Sequence, residues 1–117
     1  MPQKTFVVPH HLSRNTLVTI LVAHLFYEVS HELKEGSPSI RSRWINNRGE
    51  FYFPAMGKQV RAVVDISEDM LEAKFAISVD QEMGVFLEAI EQTVREKAEY
   101  LFANSDKVIA SSVGRVS

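Results

Sequence analysis

Hydrophobic positions in this chain change period twice, and each change marks a boundary between elements. Phe6, Val7 and Val8 form a β-prone run stopped by Pro9, so residues 4–9 predict a short strand. Ser13 then offers a side-chain oxygen to the free N–H groups of a first helical turn. Beyond it Leu17, Val18, Leu21, Val22, Leu25, Val29 and Leu33 recur at three- and four-residue spacing, which predicts an amphipathic helix. Lys34-Glu35-Gly36-Ser37-Pro38 places a cation, a glycine and a proline where that helix should end.

The middle of the chain alternates instead. Ile40, Ser42 and Trp44 interleave with Arg41, Arg43 and Ile45, and Asn46-Asn47-Arg48-Gly49 reads as a turn. Phe51 and Phe53 alternate with Tyr52 and Pro54 up to a turn at Gly57. Val60, Ala62, Val64 and Ile66 follow, then Ser67-Glu68-Asp69, then Leu71, Ala73, Phe75 and Ile77. Strands joined by turns this short predict an antiparallel meander with one buried face. Pro54 has no N–H for a ladder, so its strand must be at an edge, bulged or short.

Helical spacing returns after Asp80, a good N-cap. Met83, Phe86, Leu87, Ile90, Val94, Ala98 and Leu101 share one face, with Glu88, Gln92, Arg95, Glu96 and Glu99 opposite. The predicted order is β-α-β-β-β-β-α. Its fold class is α+β, a two-layer sandwich with both helices on one face of the sheet. Residues 1–104 read as a single domain and residues 105–117 as a disordered tail.

Composition narrows the chemistry. With 117 residues there is room for one core. With no cysteine, disulfide scaffolds, thiolate metal sites and thiol nucleophiles drop out. No G-x-S-x-G, G-x-G-x-x-G or P-loop pattern occurs, so no catalytic constellation and no cofactor are expected. The N-terminal segment lacks the apolar run of a secretory signal, and no stretch is long enough to span a bilayer. The expected location is the cytoplasm. The formal net charge of -2 hides an asymmetry: residues 34–61 sum to +4 and residues 62–100 to -7.

Several clusters carry candidate chemistry beside a plainer reading. His24, Glu28 and His31 fall within about 60° of one another on an ideal helix and could hold a metal. The plainer reading pairs Glu28 with a neighbouring histidine on an exposed stripe. His10-His11, ahead of the first helix, could meet an anion, or one ring could pack while the other is solvated. Glu68-Asp69 and Glu72 read as a solvated turn.

Two surfaces say more. Leu17, Ile20 and Tyr27, with His24 and His31, give the first helix a second apolar edge, which predicts a homodimer contact or a protein partner. Alternation puts Arg41, Arg43, Arg61 and Lys74 on the sheet face away from the helices, with Tyr52 among them. That surface is the alternative site, a platform for single-stranded nucleic acid, set against a solvated face with Asp65 and Glu72 as charge partners.

The run from His11-Leu12-Ser13 through the first helix, Trp44, Phe51-x-Phe53, Gly57, Val60-x-Ala62-x-Val64-x-Ile66 and Leu71-Glu72-Ala73-x-Phe75 resembles the polyhydroxyalkanoic acid system proteins, also called granule-region proteins. The resemblance spans residues 6–101. It implies association with polyhydroxyalkanoate storage granules and brings no enzymatic activity, with His11, Trp44 and Gly57 as structural markers. The apolar first helix and the C-terminal extension depart from that pattern. The expected function is therefore a non-enzymatic, self-associating interaction protein.

Overall fold

A computed structural model of the chain describes residues 2–33, 39–69 and 71–109. Its elements are β1 (Gln3–Pro9), α1 (Arg14–Ile20), a π-helical turn (Leu21–Leu25) and α2 (Phe26–Glu32). Strands β2 (Arg41–Ile45), β3 (Arg48–Ala55), β4 (Lys58–Ile66) and β5 (Glu72–Ser78) follow. A 3₁₀ segment (Gln81–Phe86) then leads into α3 (Leu87–Ala103). The predicted order and the α+β class are what the structure has.

All five strands pair antiparallel in the order β1-β5-β4-β3-β2, so the meander is intact and β1 closes on β5. Alternation sends Phe51, Phe53, Val60, Ala62, Val64, Phe75 and Ile77 to one face, where each is fully buried beneath the helices. Aromatic contacts run both between the layers and within the sheet. Phe26 sits over Phe51 and Phe53 at 4.6 and 5.0 Å, and Phe6 stacks on Phe75 at 4.9 Å.

Two short turns set the register. Met56 and Gly57 both take positive φ (54° and 78°), the sign pattern of a type I′ hairpin, between the paired Ala55 and Lys58. At the β2–β3 turn Asn46 alone is left-handed, at φ 56°. Asp69 closes the β4–β5 turn: its Oδ1 accepts from the Ser67 hydroxyl at 2.6 Å and from the Leu71 N–H at 3.0 Å. Those two bonds hold the Asp69 carboxyl below its ordinary pKa, and its neighbour Glu68 is exposed.

Pro54 is accommodated because β2 is short. Pairing between β2 and β3 stops at Arg41 and Tyr52, so among the described residues Pro54 has no strand on its β2 side. Its missing N–H breaks no ladder. Its carbonyl instead accepts from the buried Ser30 hydroxyl at 2.9 Å, tying β3 to α2.

The first helix departs from the sequence expectation at its centre. Ser13 caps α1, accepting from the Thr16 N–H, and the helix then widens at Leu21–Leu25. One residue more per turn there shifts everything after it on the helical wheel. Phe26 and Ser30, outside the predicted stripe, are consequently buried beside Leu25 and Val29. The expected helix end at 34–38 lies outside the described residues.

The second helix begins as 3₁₀ rather than α. Asp80 stands at its N-cap without a side-chain hydrogen bond. Met83, Leu87, Ile90, Val94, Ala98 and Leu101 are buried as predicted, whereas Phe86 is 42% exposed. Past Asn104 the chain turns into further helix over 105–109, with Val108 and Ile109 against the core. The expected tail therefore starts as structure, because these two apolar side chains have a surface to cover. Its remainder, 110–117, lies outside the described residues.

Candidate functional site

The apolar edge predicted for the first helix does not exist as a surface. Leu17 and Ile20 are fully buried. The π-turn is the reason: with it, Leu17, Ile20 and Leu21 face the sheet before the widened turn, and Leu25, Phe26, Val29 and Ser30 face it after. Of the proposed contact residues, Tyr27 and His31 are exposed and His24 is half-buried. His24 and Glu28 line a cleft of about 430 Å³ between the first helix and the end of α3, with Tyr27, Tyr100 and Lys107. His31 is not among its lining residues, and no group of three His, Asp or Glu among the described residues is placed to hold a metal.

The pair His10-His11 divides between two environments. His11 is exposed. His10 is buried, its Nδ1 accepts from the Leu12 N–H at 3.1 Å, and its ring meets Phe102 edge-on at 5.9 Å. Burial, reinforced by nearby His11, lowers the His10 pKa against a weaker opposing pull from Asp69. Its Nε2, which carries the proton in that tautomer, has no acceptor. α1 has seven residues and its N-cap is satisfied internally, so the histidine pair and the helix start do not form an anion site.

The uncovered sheet face gathers the remaining candidates. The register sets Arg41 beside Tyr52, Tyr52 beside Arg61, and Arg61 beside Ser78. The next row runs through Arg43, Glu50, Val63 and Ala76, and the third through Ile45, Arg48, Asp65 and Lys74. Arg41, Arg43, Tyr52, Arg61 and Lys74 thus share one face, joined by Arg48, which the sequence reading assigned to a turn. Carboxylates engage two of these cations: Arg48 binds Asp65 at 2.7 Å, and Arg61 reaches Glu50 at 3.3 Å. The Arg41 guanidinium lies 5.1 Å from the centre of the Tyr52 ring. Arg43 and Lys74 have no ion pair among the described residues.

No family model, curated protein or solved structure matches this chain. What distinguishes its surfaces is charge placement. The basic side chains concentrate on β2 and β3 at one margin of the sheet. The acidic α3, with Glu88, Glu96 and Glu99 exposed, packs on β1 at the other. β2 is an edge strand in which Arg41, Ser42, Arg43 and Ile45 are all exposed. No sequence signal marked β2 as an edge, since an alternating run looks the same inside a sheet. Only the order of strands reveals it.

Proposed function

We propose that the protein is a non-enzymatic binding module that docks an acidic protein partner on its open sheet face, at the basic β2–β3 margin. One observation carries this reading. The uncovered face holds Arg41, Arg43, Arg48, Arg61 and Lys74 against Glu50, Asp65 and Glu72, and the ion pairs leave Arg43 without a carboxylate. Such a surplus attracts anionic groups and suppresses basic competitors.

Single-stranded nucleic acid is the second reading. It needs aromatic faces on which bases stack, each worth roughly 1–3 kcal/mol. Tyr52 is the single aromatic of this face among the described residues, and Arg41 already covers it. That arrangement favours the acidic protein. Self-association through the first helix has lost both aliphatic anchors, Leu17 and Ile20, to the core. Association with polyhydroxyalkanoate granules rests on the family resemblance alone.

Fluorescence anisotropy with a labelled glutamate-rich peptide, beside an oligonucleotide of equal charge, separates the readings. The peptide should bind with affinity that falls as salt rises, and Arg43→Ala should weaken it several-fold. Preference for the oligonucleotide at matched charge would hand the face to nucleic acid. Absence of binding by both at low salt would remove this function.

A further inference from the structure

We propose that the acidic partner docks as an added β-strand, pairing its backbone with the free edge of β2. This rests on the acidic-partner reading and specifies how the partner is held. Among the described residues β2 pairs only with β3. The two-residue turn at Asn46-Asn47 makes Ile45 and Arg48 a hydrogen-bonded pair, so Arg43 with Glu50 and Arg41 with Tyr52 are bonded pairs too. The alternation of an antiparallel ladder then points the N–H and C=O of Ser42 and Trp44 away from β3. No backbone or side-chain group among the described residues bonds to these amides. An edge of unpaired amides is a template for another strand.

Charge selects the occupant. On the open face the free strand presents Arg41 and Arg43, both exposed, with Ile45 following. A second copy of β2 laid antiparallel across the two-fold axis at Arg43 would set Arg43 opposite itself, a repulsive cross-strand pair. Pairing of like copies is thus opposed at its centre in that register, and a two-fold axis at Ser42 sets Arg41 opposite Arg43. An extended segment with carboxylates at every second position meets no such conflict. Its acidic side chains lie opposite Arg41 and Arg43, and its intervening residues lie on the helix side beside Ser42 and Trp44.

Register makes the idea testable atom by atom. In antiparallel addition, the residues opposite Ser42 and Trp44 turn their N–H and C=O toward β2, while the carboxylate-bearing residues turn theirs away. The probe is a labelled Glu-Val-Glu-Val-Glu peptide with blocked ends, made unmodified, N-methylated at the valines, and N-methylated at the glutamates. Methylated valines should weaken binding at least tenfold, and methylated glutamates should leave it within twofold. Reversal of that pattern supports strand addition in the parallel sense. Equal binding by all three peptides overturns strand addition and leaves docking on the face standing. Failure of the unmodified peptide to bind overturns the acidic-partner reading itself. Lys74→Ala is a second check. Lys74 lies on β5, three strands from β2, so strand addition predicts less than a twofold effect. A loss equal to that of Arg43→Ala would place the peptide across the face instead.

Discussion

Gly49→Ala probes how β2 is fastened to the rest of the sheet. The indole of Trp44 packs over Gly49: a Cβ there would stand 2.8 Å from both Trp44 Cε2 and Cζ2, and 2.9 Å from Phe51 Cε2. Carbon atoms prefer roughly 3.5–4.0 Å, so both neighbours, or the backbone at residue 49, must give by up to about 1 Å. Phe51 is fully buried and held against Phe26, whereas Trp44 is half-buried on an edge strand. The indole therefore yields more readily than the Phe51 ring, whose own clash keeps the site strained. Overpacking of this kind costs about 1–3 kcal/mol. The ordinary gain from replacing a strand glycine by alanine returns roughly 0.5–1 kcal/mol. From the middle of each range a net loss of about 1 kcal/mol remains, equivalent to a Tm lower by about 4–5 °C for a chain of this size. Thermal unfolding by circular dichroism measures it, and the emission of Trp44, the single tryptophan, should shift to the red. Adding Trp44→Phe should recover part of the loss. It shortens the ring at the clash and removes the indole N–H, which is buried without an acceptor. An alanine variant with unchanged Tm and emission would refute the packing argument.

Ile20→Asp should unfold the domain rather than release a dimer, because it places an unpaired carboxylate in the core; loss of the far-ultraviolet helical signal at neutral pH reads this out. A soluble, folded Ile20→Asp variant would restore the outward-facing helix edge. His10 makes stability depend on pH in a defined window. Its folded pKa is lowered, so below the unfolded value of about 6.5 the unfolded chain takes up a proton that the folded chain resists. Stability should be flat above that pH and fall as pH drops toward the folded pKa. Urea midpoints across that range should show the slope in the wild type and a weaker one in His10→Gln. Gly57→Ala should cost about 1 kcal/mol, since its positive φ suits glycine and open space around it offers no compensating contact. A denaturation curve superimposable on the wild type would contradict the turn assignment.

Most of the architecture was legible in the sequence because its cues were local and mutually consistent. Phe51-x-Phe53, Val60-x-Ala62-x-Val64-x-Ile66 and Leu71-x-Ala73-x-Phe75-x-Ile77 carry a period of two with turn residues between them, and the structure buries each named side chain but Leu71, which precedes β5 and is exposed. Pro54 predicts a strand that is at an edge, bulged or short, whereas β3 is an interior strand of eight residues. Pro54 lies in an overhang, where β3 runs past the end of β2. The first helix was misread for a geometric reason. A wheel of constant angle has no place for a widened turn, so it moved Ile20 outward and omitted Phe26. The candidate face was legible residue by residue, since alternation alone puts Arg41, Arg43, Tyr52, Arg61 and Lys74 together. Which of those cations keep a carboxylate was not legible, because Arg48–Asp65 and Arg61–Glu50 depend on cross-strand register.

The separation of basic β2–β3 from acidic α3 also bears on how partners arrive. A molecule with opposite charge at its two margins carries a dipole, and an approaching anionic segment experiences a torque before any contact forms. The basic margin turns toward it and the acidic helix turns away, so orientation is largely selected during diffusion. At about 0.1 M salt the field fades within roughly 10 Å, which limits this guidance to the last few molecular layers of water. Salt should then act mainly on the rate of association. The lifetime of the complex should follow the short-range contacts that hold it.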